Sequence, residues 1–464
     1  MNFDPFQTVE VPFDKNGHIT PLGGIDGTGA AAAIAAMLSN IDDLIVISHG
    51  WNNDIDDARR LYTGFFASVS AAWSSAGLTP ADLQRTGVLA LYWPSKKFDE
   101  PDLIAGGAAA IQDATDYGAA ITAQIANLKD EYGQFGATEQ QLLDTARQEV
   151  PLLDSPSAQD AFVAALAALL PRAPNEPDPG LDESARSLTG GNGAAVLQNI
   201  SMQLGTPATP PTGSGGAAEI GDDDTPAAVT GSAAGFNPIG DIQKAANMLL
   251  NLTTYYVMKE RAGTIGQIGA APLVVAAMQN KPTLRVHLVG HSFGGRLVTS
   301  LANALPDGQP VCTLSLLQAA YSHYGLSPAP ADASRPVGAF RDVVVKGKVR
   351  DIIQITHSSH DWAVGAAYPI ASYIARDAAS AVPTLTIPGT SDSLWGGMGA
   401  SGAQQTPEAF DDTLLDGTAL YPPLPAGKLI RNLTGDAFIS GHGDVDGSQV
   451  AWAFLQGFKL AHSS

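Results

Sequence analysis

Short apolar runs alternate along most of the chain with stretches whose apolar positions recur at helical spacing. Asp43–Ser48 (DLIVIS), Gly87–Trp93 (GVLALYW), Leu284–Val289 (LRVHLV), Cys312–Leu317 and Asp351–Thr356 (DIIQIT) are rich in β-branched residues and bounded by polar ones. That pattern predicts strands buried on both faces. Asp54–Ala76, Arg296–Leu305, Trp362–Ala379 and the closing Asp446–Lys459 read as helices, as does Asp241–Gln279 with a break around Gly263–Gly269. Strand, helix, strand in succession predicts an α/β protein with a mostly parallel sheet. Lys428–Leu433 reads as a last strand. Phe6–Phe13 reads as a first one, and the turn signal Lys15-Asn16-Gly17 predicts a hairpin back along it.

After Lys97 the pattern changes. Residues 101 to about 205 are rich in Ala, Leu and Gln and hold several amphipathic stretches, Ala158–Leu170 among them. Residues 206–240 are Pro, Gly, Ser, Thr and Ala with an acidic run at Asp222, Asp223 and Asp224, the composition of a linker or long surface loop. The expected organisation is residues 1–100 as the first part of the sheet core, 101–240 as a partly helical insertion, and 241–464 as the second part of the core.

Composition narrows the function classes. The 464 residues are 45% hydrophobic, enough for a large core, and carry a net charge of −21. A chain this acidic is repelled by nucleic acids and anionic surfaces, so no nucleic-acid partner is expected. The single cysteine, Cys312, excludes an intramolecular disulfide and a cysteine-rich zinc site. It sits in an apolar run and reads as a small buried hydrophobe. The opening MNFDPFQTVEVPFDKNG has neither the basic nor the apolar region of a Sec signal peptide. No uncharged apolar run reaches the ~18 residues of a spanning helix. The expectation is a cytoplasmic location by default and no stable membrane insertion, with export routes that need no Sec signal left open.

The strongest chemical signal is Gly290-His291-Ser292-Phe293-Gly294-Gly295, a G-x-S-x-G match lying between an apolar strand and a helix. A sharp strand-to-helix turn forces the serine into a strained conformation and lifts its hydroxyl above the end of the sheet. Small flanking residues avoid clashes, and the helix N-terminus behind the serine stabilises developing negative charge. The competing reading is a glycine-rich turn with an exposed serine. A second signal is His49-Gly50-Trp51 at the end of an early strand. Acyl transfer needs at least two donors aimed at the oxyanion. The amide after the nucleophile, Phe293, and that of Trp51 are the candidates. Asn52 and Asn53 support that loop or cap the next helix, with capping favoured for at least one.

Together these residues resemble the α/β-hydrolase superfamily, its esterase and lipase-like members in particular, over about 43–97 and 241–459. The resemblance implies an α/β-hydrolase fold, with the 101–240 insertion as a helical cap or lid. It also implies the order nucleophile, acid, histidine. Asp361, just past the strand DIIQIT, is then the acid; the competing reading is an N-cap of the helix starting near Trp362. Asp351 lies at the wrong end of that strand, and Asp377 falls inside a helix. Of nine histidines, His442, between the last strand and the closing helix, fits the family's position. His18 precedes the sheet, His287 lies inside a strand, and His291 is the elbow's variable residue. His323 lines the pocket, His357 and His360 stand beside the acid, and His462 is terminal. The implied chemistry is ester hydrolysis through an acyl-enzyme: His442 as base, Asp361 fixing its tautomer, and the Phe293 and Trp51 amides holding the oxyanion. Lipid-like or polymeric esters are attractive substrates. The alternatives are an amidase or peptidase with the same triad and a non-catalytic binding protein on this fold.

No cofactor or metal is expected. Gly397–Gly402 matches G-x-G-x-x-G but follows no strand, so it reads as a glycine-rich loop near the pocket, not a dinucleotide site. Asp444-Val445-Asp446-Gly447 lacks the other ligands of a calcium loop. Trp362 and Trp395 are pocket walls or core, with core favoured.

Overall fold

In a computed structural model, residues 3–22, 27–95, 114–130, 135–170, 192–204, 238–331, 337–361, 364 and 396–462 are described. Their eight strands are β1 (Gln7–Pro12), β2 (Asp43–Ser48), β3 (Thr86–Tyr92), β4 (Arg285–His291), β5 (Val311–Leu317), β6 (Val349–His357), β7 (Ala409–Thr413) and β8 (Ile430–Thr434). They form one sheet in the order β1-β3-β2-β4-β5-β6-β8-β7, and every hydrogen-bonded pair runs parallel.

Because successive side chains of a strand point to opposite faces, the apolar runs feed two cores. Leu44, Val46, Leu89, Leu91, Val286, Leu288, Leu314 and Leu316 enter one. Ile45, Ile47, Val88, Ala90 and Val289 enter the other. The second core is closed by the helices Ile55–Ala72 (α2) and Ser448–Leu460 (α13), which bring in Phe65, Phe66, Trp452 and Phe458. The first is covered by Gly27–Leu38 (α1), by Phe293–Ala304 (α10) and by the insertion.

The insertion is helical where it is described. Ala114–Asp130 (α4), Pro156–Leu169 (α6) and Gly193–Leu204 (α7) pack with Pro238–Thr264 (α8), and Ala137–Glu149 (α5) packs on α4 and α6. Their Ile121, Leu143, Phe162, Leu166, Leu197 and Leu249 belong to the same apolar cluster as one face of the sheet. Helix α8 begins at Pro238, so a division at residue 240 cuts its first turn. The stretch 205–237, with Asp222, Asp223 and Asp224, lies outside the described residues.

The break expected near Gly263–Gly269 is a π-helical stretch, Ile265–Ala270, joining α8 to Ala271–Asn280 (α9). Pro272, which has no amide to close a regular turn, stands just beyond it. The helical run Gly240–Asn280 is long and apolar enough to cross a membrane by length and composition; half of its most apolar window is buried.

Local features add to or change the sequence reading. The hairpin at Lys15-Asn16-Gly17 forms but is minimal: one antiparallel bridge, Phe13 to Ile19, is flanked by Asp14 N–H to His18 O at 2.8 Å and Thr20 N–H to Pro12 O at 2.9 Å, while β1 itself pairs parallel with β3 at the sheet edge. His18 therefore follows the first strand of the sheet. Strand β7, whose sequence AFDDT is largely polar, and helix α1 went unforeseen. The expected helix Trp362–Ala379 lies outside the described residues except for Val364.

At the end of the sheet remote from the elbow, the start of β2 is tied to β4 through Asp43, whose side chain is 1% exposed. It accepts two hydrogen bonds from Arg285 at 2.7 Å and one from His287 at 3.2 Å, and His462 lies 3.3 Å away. Removing a carboxylate so enclosed leaves buried partners without a counter-charge. Asp43→Ala is expected to cost about 3 kcal/mol of stability, measured by urea denaturation at neutral pH. A loss below about 0.5 kcal/mol, the level of an ordinary surface pair, would refute this account of the cluster.

Candidate active site

Ser292 is the one residue between β4 and α10, and its backbone is at φ 55, ψ −125. A positive φ at a serine costs on the order of 1–3 kcal/mol and persists only where neighbours impose it. Here β5 and its following loop do so: Ser292 N–H donates to Leu317 O at 3.0 Å, and Ser292 O accepts from Ala320 N–H at 3.0 Å. The turn is too tight for side chains at its glycines. A Cβ on Gly290 would lie 2.3 Å from Gly294 O, and one on Gly294 would lie 2.2 Å from Ser48 O. Phe293 opens α10, so its amide has no acceptor within the helix.

The loop after β2 lies directly against the serine: Gly50 is so close that a Cβ there would fall 2.6 Å from Ser292 Cβ. His49 is buried and shapes this loop with every polar atom it has. Its amide donates to Tyr62 Oη at 2.7 Å and its carbonyl accepts from Trp93 Nε1 at 3.0 Å. In the ring, Nδ1–H donates to Gly50 O at 2.9 Å while Nε2 accepts from Trp93 N–H at 3.2 Å. Ser95 Oγ donates to Gly50 O at 3.1 Å and Asn53 Nδ2 to Trp51 O at 3.0 Å. The capping expectation for the two asparagines is corrected. Asp54 is the N-cap of α2, exchanging a capping box with Asp57, while Asn53 braces the loop. The Trp51 ring stands 6.0 Å from both Phe293 and Tyr255, and Tyr255 comes from α8, so the helix on which the insertion packs supplies an aromatic wall beside the serine.

Asp361 and His442, 81 residues apart, meet beyond the ends of β6 and β8. His442 Nδ1 lies 3.0 Å from Asp361 Oδ1 and 2.9 Å from Oδ2. The carboxylate is fully buried, so Nδ1 is the protonated nitrogen and Nε2 is left as a base. Asp361 also serves as a backbone cap, because Val364 N–H donates to its Oδ1 at 3.0 Å. The two loops are stitched by Ser358 Oγ to Ile439 O at 3.0 Å and by Ser359 to Asp436 at 2.8 Å. Ser292 is linked to His442 through its neighbour: His291 Nε2–H donates to the His442 carbonyl at 2.8 Å, with ring centroids 4.8 Å apart. No hydrogen bond joins the Ser292 hydroxyl to the His442 ring among the described residues.

The other candidates fall elsewhere. His287 is packed inside the sheet on Thr313 and Asp43. His323 is buried against Ser401, 2.8 Å away, and His360 hydrogen-bonds Ile439 O. Gly397–Gly402 encloses the short helix Met398–Ser401 (α12), which braces the site: Gly399 N–H donates to Ala319 O and Gly399 O accepts from Ser358 N–H. Asp444, read as a remnant of a calcium loop, accepts from the Ser440 amide and hydroxyl. Trp362, Asp377 and Trp395 lie outside the described residues. Gln318, Tyr62 and Ser95 were missed. None belongs to a motif, and each acts through a contact distant in sequence.

Burial pushes the His49 imidazole down to about 4 and that of His291 to about 3, the latter helped by the neighbouring His442. Both rings are therefore neutral in the folded protein. A base whose folded pKa lies below its unfolded value near 6.5 takes up protons preferentially in the unfolded chain. Its contribution is intact above pH 6.5 and is lost as pH falls, at up to about 1.4 kcal/mol per pH unit for each ring. Urea denaturation is expected to show stability falling between pH 6.5 and 5, before most carboxylates titrate. A flat profile across that window would contradict the neutral assignment.

Compared with protein-family models, with curated proteins and with solved structures, the chain has no match.

Proposed function

We propose that the protein is a serine hydrolase of the α/β-hydrolase type that cleaves carboxylic esters, with Ser292 as nucleophile. The observation that carries this reading is the meeting of Asp361 and His442 at 2.9–3.0 Å on the same end of the sheet as a serine at φ 55. Strain at an elbow residue is retained where it serves a site. A buried carboxylate on Nδ1 leaves Nε2 to accept the serine proton.

In this mechanism His442 takes the Ser292 proton as Oγ attacks the ester carbonyl, and Asp361 stabilises the imidazolium. The amides of Phe293 and Trp51 receive the oxyanion, assisted by the N-terminus of α10. The alcohol leaves with the proton from His442, and water, activated by the same ring, releases the acid. The Ser292–His442 hydrogen bond is made when substrate closes the site; such contacts are commonly long in free enzymes. The insertion acts as a cap packed on α8, and Tyr255 of α8, with Trp51 and Phe293, gives the acyl side an aromatic wall. That wall suits an apolar acyl group, as in lipid-like esters.

The open Ser292–His442 contact favours one other reading, a binding protein on this fold without turnover. A fluorophosphonate probe separates the two. It is expected to label the wild type and not Ser292→Ala, and Asp361→Asn is expected to lower kcat on p-nitrophenyl esters by on the order of 10⁴ through the wrong histidine tautomer. Folded wild-type protein that neither reacts with the probe nor turns over esters or anilides would overturn the hydrolase reading. Anilide turnover exceeding ester turnover would replace the esterase with an amidase.

A further inference from the structure

Gln318 stands at the carboxyl end of β5 with φ 42, a second strained non-glycine residue in the segment that holds the elbow. Its neighbours on both sides are occupied with Ser292: Leu317 O accepts the Ser292 amide, and Ala320 N–H donates to the Ser292 carbonyl. Its own side chain reaches the other way, to the loop that carries His442. Thr356 Oγ1 donates to Gln318 Oε1 at 2.8 Å, which settles the orientation of the amide. Nε2 then faces the histidine loop and donates to Asp444 O at 3.1 Å, with the His442 carbonyl at the limit of reach, 3.5 Å. Gln318 is fully buried, so neither partner has water to substitute for it.

We infer that Gln318 is a positioning residue: it couples the backbone of the Ser292 elbow to the His442 loop and so sets the aim of the His442 ring between Asp361 and the serine. Three observations converge on this. Strain is stored at φ 42 where the sequence has a long polar side chain and not glycine. The amide is oriented by a dedicated partner on β6. Its donor is spent on the backbone two residues beyond His442. A packing role alone would require none of these. His291 grips the same histidine peptide from the elbow side, through the His442 carbonyl at 2.8 Å, so the loop is held from the carboxyl ends of both β4 and β5. The catalytic consequence rests on the hydrolase reading; the positioning does not.

The test is Gln318→Met, similar in length and lacking the donors, with Thr356→Val as the milder variant that removes only the group orienting the amide. In full-length protein, two readouts are followed: kcat and KM on a p-nitrophenyl ester, and the NMR resonance of the His442 Nδ1 proton. Gln318→Met is expected to lower kcat by roughly two- to tenfold at unchanged KM, the worth of one buried hydrogen bond expressed in the transition state. It should also displace or broaden the Nδ1 resonance. Thr356→Val should move both in the same direction by less, and it carries the test if Gln318→Met does not fold. Folded variants with wild-type kcat and an unmoved resonance would overturn the inference. If the wild type has no Ser292-dependent turnover, the hydrolase reading fails, and the resonance alone decides whether Gln318 aims the ring.

Discussion

Holding Ser292 at a positive φ is the constraint on which the other parts of the site depend. An isolated strand-to-helix turn would relax it. In this sheet Leu317 and Ala320 seize the Ser292 amide and carbonyl from the adjacent strand's end. Gly290, Gly294 and Ser48 are packed so closely that the turn has no room to open. The cost is met by the parallel sheet itself, whose central strands are buried on both faces. The loop after β2 then has one place to go, against Ser292 and Gly294, and the apolar positions of α2 and α10 close the two cores around it.

Most polar groups near the elbow are buried, and the structure satisfies them with neutral partners in place of ion pairs. His49 donates with Nδ1 and accepts with Nε2, and Tyr62 Oη accepts from His49 N–H while donating to Leu91 O at 2.6 Å. Gln318 gives both ends of its amide to backbone and Thr356. Neutral groups fix the geometry around the ring by hydrogen bonding alone. Asp361 is the one carboxylate admitted to direct contact with the ring among the described residues. The Asp43 cluster, where formal charges do meet, is kept at the opposite end of the sheet.

The sheet's central strands were legible because burial on both faces writes itself as a continuous apolar run, and G-x-S-x-G because close backbone approach admits only glycine. Asp361 and His442 were legible through chain order, as residues just past strand ends. What escaped depends on pairing or on single contacts. Edge strand β7 is AFDDT, whose aspartates bond to Asn432 and Arg431 of β8, contacts that leave no apolar run in the sequence. Strand β1 pairs with β3, some 80 residues away, a choice that no local signal records. The cap of α2 fell to Asp54 and not to its asparagine neighbours, because Asp57 three residues on completes the reciprocal pair. Gln318 carries no periodicity or motif at all; its meaning lies in Thr356 and Asp444, 38 and 126 residues away.

Asp361 shows why the structural and catalytic readings of one residue need not compete. Toward the backbone it accepts Val364 N–H on Oδ1, and as a partner it receives His442 Nδ1–H on both oxygens. An amide at this position retains the carbonyl oxygen that capping requires, but it presents an N–H group where the ring now finds an acceptor. The cap would survive, while the histidine would be driven to the tautomer with Nε2 protonated and unable to act as a base. Loss of the whole side chain would remove both functions and confound folding with chemistry. The two roles share one carboxylate because both need an acceptor at the same place, beyond the end of β6 where a new segment begins. That economy ties the position of Asp361 to the strand before it.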